Sequence, residues 1–190
     1  MKEKVFFTLA VIALSSFVFF TGHVTAQTTA VGPYYASPSW DQTLPVATRF
    51  IILSNFNSEA VLDRETGLVW ERSPSTSTFT FSDANRQCQH LTTGGRFGWR
   101  MAQTEELFSL LDPTQKGQFS NSPPALPVGH PFLNVAGTSY WVKDRAAPPF
   151  NNNAQILILF INDALINNTD DTSSNRVWCV RGPGGSPTPW

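Results

Sequence analysis

The chain has 190 residues, of which 41% are hydrophobic and 14% are charged, and its formal net charge at pH 7 is −1. This hydrophobic content is sufficient for one domain with a buried core. Because the basic residues form no concentrated patch in the sequence, direct binding to nucleic acid or to an anionic membrane surface is not expected.

The first 26 residues have the three parts of a secretory signal peptide. Lys2 and Lys4 give a basic start, Val5–Phe20 is an almost unbroken apolar run, and small or moderately sized residues precede a cleavage point before Gln27. The alternative is an uncleaved membrane anchor, but the apolar run is shorter than the roughly 20 residues of a transmembrane helix. We therefore expect an exported protein, periplasmic, on the cell surface or extracellular, with no membrane insertion after cleavage.

Two further segments lie outside the predicted domain. Residues 27–48 contain many Pro, Ser and Thr residues and are predicted to form a linker or N-terminal arm. Residues 183–190 contain Gly and Pro and are predicted to form a flexible tail. The domain itself is therefore placed at residues 49–182.

Within the domain, the pattern predicts short strands, then two helices, then further strands. The second helix is expected at Thr104–Leu111, with Thr104 as its cap. This order indicates an α+β protein with a largely antiparallel sheet and long polar loops. The strands are predicted at Arg49–Asn55, Glu59–Asp63, Leu68–Arg72, Ser139–Asp144, Gln155–Asn162 and Asn175–Arg181.

The first helix is expected at Ser82–Leu91, with Ser82 as its N-cap. Ala84, Cys88 and Leu91 follow the spacing of one buried face. The sequence contains one other cysteine, Cys179, in the last predicted strand.

A disulfide between Cys88 and Cys179 is the favoured interpretation, because an even number of cysteines in an exported chain indicates pairing. Two buried free thiols are the alternative. A catalytic thiol is less favoured, since the only two cysteines of the sequence are better used in a structural bridge.

The sequence shows no catalytic or metal-binding motif: it contains no zinc-ligand spacing, nucleophile elbow or phosphate-binding loop. The neighbouring carboxylates Asp63 and Glu65, and Glu105 and Glu106, are best explained by a turn and a helix start. His90 is best explained as a dipole partner at a helix C-terminus. Four tryptophans in or beside strands are predicted to be core residues, namely Trp70, Trp99, Trp141 and Trp178.

Asparagine and aspartate residues concentrate in the loops near the last strands. Side-chain oxygens of this kind bind Ca²⁺ or sugar hydroxyls when they converge. The alternative is a polar hairpin exposed to water. The candidate ligand residues are Asn151, Asn153, Asn162, Asp163, Asp170, Asp171 and Asn175.

Five short segments in a fixed order carry a family resemblance: Val61–Trp70, the helix with Ala84 and Cys88, Trp99-Arg100 followed by Thr104–Leu107, Tyr140-Trp141, and Val177–Gly182. Together they resemble the C-terminal domain of the Legionella collagen-like protein, a bacterial adhesin domain. Met101–Thr104 replaces the Leu-Pro-Thr stretch that is typical of that family. The sequence also lacks the Glu-Pro-Asn and Trp-Asn-Asp signatures of calcium-dependent lectins.

The resemblance implies a C-type-lectin-like fold, in which a cysteine on the first helix pairs with one on the final strand. It also implies a secreted or surface module that recognises a glycan or protein ligand through loops. We expect no catalysis and no cofactor, and Ca²⁺ held by the asparagine- and aspartate-rich loops is the alternative to none. One alternative is a structural subunit of a surface assembly. Another is an enzyme similar to the formylglycine-generating enzymes, which needs two free thiols. The sequence indicates no oligomeric state.

Overall fold

The computed structural model describes residues 43–117, 123–145 and 156–182. The predicted signal peptide, the predicted tail, residues 27–42 of the predicted arm, and Asn151 and Asn153 lie outside these residues. The α+β class is confirmed. In chain order the elements are α1 (Val46–Arg49), β1 (Phe50–Ile52), β2 (Ala60–Asp63), β3 (Val69–Glu71), α2 (Phe81–His90), β4 (Arg100–Met101), α3 (Thr104–Phe108), β5 (Ser139–Arg145), β6 (Ile156–Phe160), β7 (Leu165–Thr169), β8 (Arg176–Val177) and β9 (Cys179–Arg181).

These strands form two sheets among the described residues. The first has five strands in the order β1-β2-β3-β9-β4, and all neighbours are antiparallel. The second has four strands in the order β7-β6-β5-β8, in which β5 and β8 are parallel and the other pairs antiparallel. The described residues include no helix with the length and apolar content that a membrane span requires.

Two clusters of buried apolar side chains take alternate residues of the last strands. Trp178 and Val180 belong to one cluster, whereas Val177 and Cys179 belong to the other. This alternation follows from the two-residue period of a strand. The prediction that four tryptophans are core residues is confirmed, because all are buried: Trp70, Trp99, Trp141 and Trp178.

The predicted strand at Asn175–Arg181 is two strands in the structure. Arg176–Val177 pairs with β5 in the second sheet, whereas Cys179–Arg181 pairs with β3 and β4 in the first. Trp178 lies between them, and its indole N–H donates to the carbonyl of Glu71 at 2.9 Å. The prediction of one continuous strand is therefore wrong, because the chain changes sheets at Trp178.

Both predicted helix caps are also wrong by one or two residues. The N-cap of α2 is Thr80, whose hydroxyl oxygen accepts from the backbone N–H of Asp83, and not Ser82. The N-cap of α3 is Gln103, whose backbone N–H donates to the Glu106 carboxylate at 2.9 Å. Thr104 instead donates through its N–H and its hydroxyl to Asp144. In both helices the cap is defined by a local hydrogen bond between residues three apart, and the sequence alone does not distinguish this cap from a nearby candidate.

A buried arginine ties α1 to the first sheet. Arg49, 8% exposed, donates to both carboxylate oxygens of Asp63 at 3.0 and 2.9 Å. It also forms an ion pair with Glu65 at 2.9 Å and donates to the carbonyl of Ser109. The carboxylates of Asp63 and Glu65 therefore have a structural role. Helix α1 begins at Val46, which is inside the predicted arm.

Glu71 is a buried carboxylate that the sequence analysis did not single out. Its side chain, 6% exposed as a residue, accepts a hydrogen bond from the backbone N–H of Cys179 at 3.0 Å. Burial raises the pKa of Glu71 from its usual 4.5 to about 7, although the hydrogen bond from Cys179 opposes this effect. The folded protein therefore binds a proton here more tightly than the unfolded chain does.

We expect this proton to make stability depend on pH. The stabilisation is fully present below pH 4.5 and is lost as the pH rises through about 7, because the unfolded chain ionises first. The loss is about 3 kcal/mol in the free energy of unfolding. Glu71→Gln keeps a hydrogen-bond acceptor but cannot ionise, so urea unfolding should show the variant about 3 kcal/mol more stable than wild type at pH 8 and equally stable at pH 4.

The matched control is Glu105→Gln, because Glu105 is exposed at the start of α3. Its pH profile should follow that of wild type. Burial lowers the pKa of His130, but this residue is present in all three proteins, so its contribution cancels in the comparison. A Glu71→Gln profile parallel to wild type from pH 4 to pH 8 would contradict the prediction.

Candidate binding groove

A polar face of α2 forms one wall of an open groove. Asp83, Arg86, Gln87 and His90 follow the spacing i, i+3, i+4 and i+7, so they lie on one side of the helix. Ala84 and Cys88 are buried and face the core. The helix therefore separates a packed side from a side that presents hydrogen-bonding groups to the groove.

The opposite wall comes from two distant parts of the chain. Thr78, Phe79 and Thr80 precede α2, and Ser174 precedes β8. Phe79 and Asn175 hydrogen-bond to each other through both backbone N–H groups, at 2.8 and 3.1 Å. This isolated bridge brings the two segments together beside the helix.

The groove walls are fixed by contacts with the core. The indole N–H of buried Trp141 donates to the Phe79 carbonyl at 2.7 Å, and Ser139 donates through its hydroxyl to the side chain of Asn175. Because these partners lie on β5, the second sheet holds the loop that faces α2. A site built on such supported segments loses little conformational entropy when a ligand binds.

The disulfide fixes the helix from its buried side. Cys88 and Cys179 are joined, with a Cα–Cα distance of 5.4 Å and a sequence separation of 91 residues. The predicted pairing is therefore confirmed, and both cysteines of the chain are in the bridge. It connects α2 to β9, so the polar face of the helix is held in one position relative to the first sheet.

The groove offers groups of both charges together with neutral donors and acceptors. Its volume is about 480 Å³. Arg86, Gln87 and His90 supply hydrogen-bond donors to its lining, and the Asp83 carboxylate supplies acceptor oxygens. Arg86 and Asp83 approach each other at 3.5 Å, with side chains 64% and 52% exposed. Such a weak, solvated pair leaves the guanidinium accessible to a ligand.

The predicted ligand residues divide between the two ends of β7. Asp170 and Asp171 are exposed on the turn after β7, where the Asp171 carbonyl accepts from Phe81 N–H at 3.0 Å. Asn162 and Asp163 lie in the turn before β7. A five-residue strand separates the two turns by about 17 Å. The structure therefore brings Asp170 and Asp171 near the groove and leaves Asn162 and Asp163 away from it.

The remaining described member of that set, Asn175, supports the loop. It is 8% exposed, and its side chain accepts from Ser139 while its backbone pairs with Phe79. Within the described ranges, no three His, Cys, Asp or Glu side chains are grouped so that they could hold a metal ion.

None of the eight residues that line the groove is among the ligand residues predicted from the sequence. The polar face of α2 has the same periodicity that identified its buried face, so Asp83, Arg86 and Gln87 could have been found from sequence. Ser174 could not, because its approach to α2 depends on the pairing of Phe79 with Asn175.

Comparison with known proteins identifies the family. No curated protein matches this chain. The family model described as the Lcl C-terminal domain matches residues 59–181, which are well over half of the chain and include α2, the groove and the disulfide. The family consists of secreted or surface-associated bacterial domains. The chain therefore belongs to the family of Legionella collagen-like protein C-terminal domains.

Proposed function

We propose that this protein is an exported binding module that recognises a glycan through the groove between α2 and the Phe79–Asn175 bridge. The observation that carries the proposal is the groove itself: a supported concave surface about 480 Å³ in volume, lined mostly by polar side chains. Sugar hydroxyls both donate and accept hydrogen bonds, so they suit a lining that combines Arg86, Gln87 and Asp83. The half-buried ring of Phe79 adds an apolar surface.

Export is supported by the N-terminal composition and by the disulfide. A basic start, an apolar run and small residues precede Gln27, and disulfides persist in oxidising compartments. Family membership is consistent with this location. The long-range bridge from a helix to the last strand is also the arrangement expected of a C-type-lectin-like scaffold, and we infer that the domain is of this kind.

The proposal does not include calcium in the groove. Asp83 is the one carboxylate among the eight groove-lining residues, whereas Ca²⁺ takes six or more oxygen ligands. Asp170 and Asp171 on the neighbouring turn extend the polar surface and are proposed to contact longer ligands. We therefore expect binding to be unchanged when a chelator is added.

The enzyme alternative receives no support from the cysteines. A formylglycine-generating-enzyme-like reaction needs two free thiols, and Cys88 and Cys179 are bonded to each other. A structural subunit remains a second hypothesis, and light scattering of the purified chain would identify an assembly by its mass.

The full chain should bind members of a glycan array, and calorimetry with the strongest member should show that Arg86→Ala and Gln87→Ala each weaken binding about tenfold. This factor corresponds to the loss of one hydrogen bond to a charged group or of one well-formed neutral bond. Both side chains are exposed or half-buried, so neither change should affect folding.

The matched control is Gln89→Ala, because Gln89 is exposed on the same helix and does not line the groove. Its affinity should equal that of wild type. Equal losses of affinity for Gln87→Ala and Gln89→Ala would contradict the proposal. It would also be contradicted if no glycan on the array were bound and the chain bound a protein ligand instead.

A further inference from the structure

A second site is suggested by two opposite charges that face each other without forming an ion pair. Glu59 and Arg72 continue the register of β2 and β3, and the Arg72 N–H donates to the Glu59 carbonyl at 2.9 Å. Directly opposed residues of an antiparallel pair lie on the same face, with Cβ atoms about 5 Å apart. Nevertheless, within the described part of the chain the Arg72 guanidinium has no carboxylate within 4.0 Å.

A backbone N–H holds the Glu59 carboxylate away from Arg72. Gly94 donates to Glu59 Oε2 at 2.7 Å. Gly94 has φ +67°, and a Cβ there would lie 2.6 Å from the Cβ of Phe56, so this close approach requires glycine. The carboxylate is therefore positioned by the turn that follows α2, and no residue in the described part of the chain donates to its second oxygen.

Two carbonyl groups hold the guanidinium of Arg72 on the other side. Arg72 Nε donates to the carbonyl of Pro131 and Nη1 to the carbonyl of Ser58, both at 3.3 Å. The Arg72 carbonyl in turn accepts from Leu133 N–H at 2.7 Å. These bonds do not neutralise the positive charge, because their acceptors are uncharged. Among the residues that the structure describes, none accepts from Nη2, so this nitrogen can donate to a ligand.

A cavity of about 360 Å³ lies between the two charges. Besides Glu59 and Arg72 it is lined by hydroxyl groups and by one leucine, namely by Ser58, Ser73, Thr93 and Leu133. Leu133 is 48% exposed. The cavity therefore combines one anion, one cation, neutral hydrogen-bonding groups and an apolar surface.

We propose that this cavity binds a small zwitterion of the α-amino acid class. Its carboxylate lies on the guanidinium of Arg72, its ammonium group on the carboxylate of Glu59, and an aliphatic side chain against Leu133. A ligand with both charges neutralises both groups at once. By contrast, an anion alone is repelled by the carboxylate of Glu59, and a cation alone is repelled by the guanidinium of Arg72. This site is separate from the groove and does not depend on the glycan proposal.

The test uses L-leucine, N-acetyl-L-leucine and L-leucinamide as probes, with NMR titration of the full chain. N-acetyl-L-leucine lacks the ammonium group and L-leucinamide lacks the carboxylate. L-Leucine should shift the resonances of Arg72, Thr93 and Leu133, and each derivative should bind about tenfold more weakly or worse. Equal binding of the three probes, or no saturable shift with L-leucine, would overturn the proposal.

Variants assign each charge to its partner. Glu59→Gln should remove the preference for L-leucine over N-acetyl-L-leucine. Arg72→Met should remove the preference for L-leucine over L-leucinamide. If the methionine variant does not fold, Arg72→Lys is used in its place. Because lysine keeps the positive charge, this variant should retain part of the preference for L-leucine over L-leucinamide. Gln87→Ala, in the groove, should leave leucine binding unchanged; a loss there would overturn the assignment to this cavity.

Discussion

Replacing both cysteines with alanine (C88A/C179A) should lower the free energy of unfolding by about 4–5 kcal/mol. The bridge closes a loop of 91 residues, and the chain-entropy model gives about this value for a loop of that length. The midpoint of thermal unfolding should fall by about 10 °C or more, since 1 kcal/mol corresponds to roughly 2–4 °C in a chain of this size. Calorimetry of the variant and wild type measures both quantities.

The two single variants provide the control for this prediction. Because each one breaks the same bridge, C88A and C179A should each lose nearly as much stability as the double variant. Wild type treated with a reductant should unfold at the midpoint of the double variant. A double variant that unfolds within about 2 °C of oxidised wild type would show that the bridge contributes little stability.

The pairing of Cys88 with Cys179 could be predicted because two cysteines in an exported chain allow one connectivity. The burial of Ala84 and Cys88 could also be predicted, since their spacing is that of one helix face. These inferences depend on local period and composition. Both are confirmed by the structure, even though α2 begins at a different residue from the one expected.

The change of sheet at Trp178 could not be predicted from sequence. Val177 and Cys179 lie on the same side of an apparently regular strand, and both are in the same buried cluster. Their hydrogen-bonding partners nevertheless belong to different sheets, β5 for Val177 and β4 for Cys179. The two-residue period of a strand predicts which face of the sheet a side chain occupies, but it does not predict which strand lies beside it.

Strand β7 was missed for a related reason. Leu165 and Ile166 are both exposed, and Asn167 and Asn168 follow them, so no alternation of apolar and polar residues marks this strand. It exists because all five residues pair with β6. The sequence therefore predicts only that the candidate ligand residues lie in polar loops near the last strands, whereas pairing places those before and after β7 in two separate turns.

Arg49→Met should lower the free energy of unfolding by about 3–5 kcal/mol, because it leaves the carboxylate of Asp63 buried without its cation. Asp63 is 0% exposed, and Arg49 is its bidentate partner. The same guanidinium also bonds Glu65 and the carbonyl of Ser109 after α3, so the substitution removes the link between α1, the first sheet and α3. Urea unfolding at neutral pH measures the loss.

Arg86→Met is the matched control for this change, since its pair with Asp83 is 3.5 Å long and both side chains are more than half exposed. It should cost less than 1 kcal/mol, as exposed ion pairs do. Arg49→Lys should fall between the two, because an ammonium group keeps the charge but loses the fork that contacts both oxygens of Asp63. If Arg49→Met cost no more than Arg86→Met, the Arg49–Asp63 pair would be stabilising the fold no more than a surface pair does. The burial of both side chains argues for the larger loss, since among the described residues Arg49 is the one cation that forms an ion pair with the buried carboxylate of Asp63.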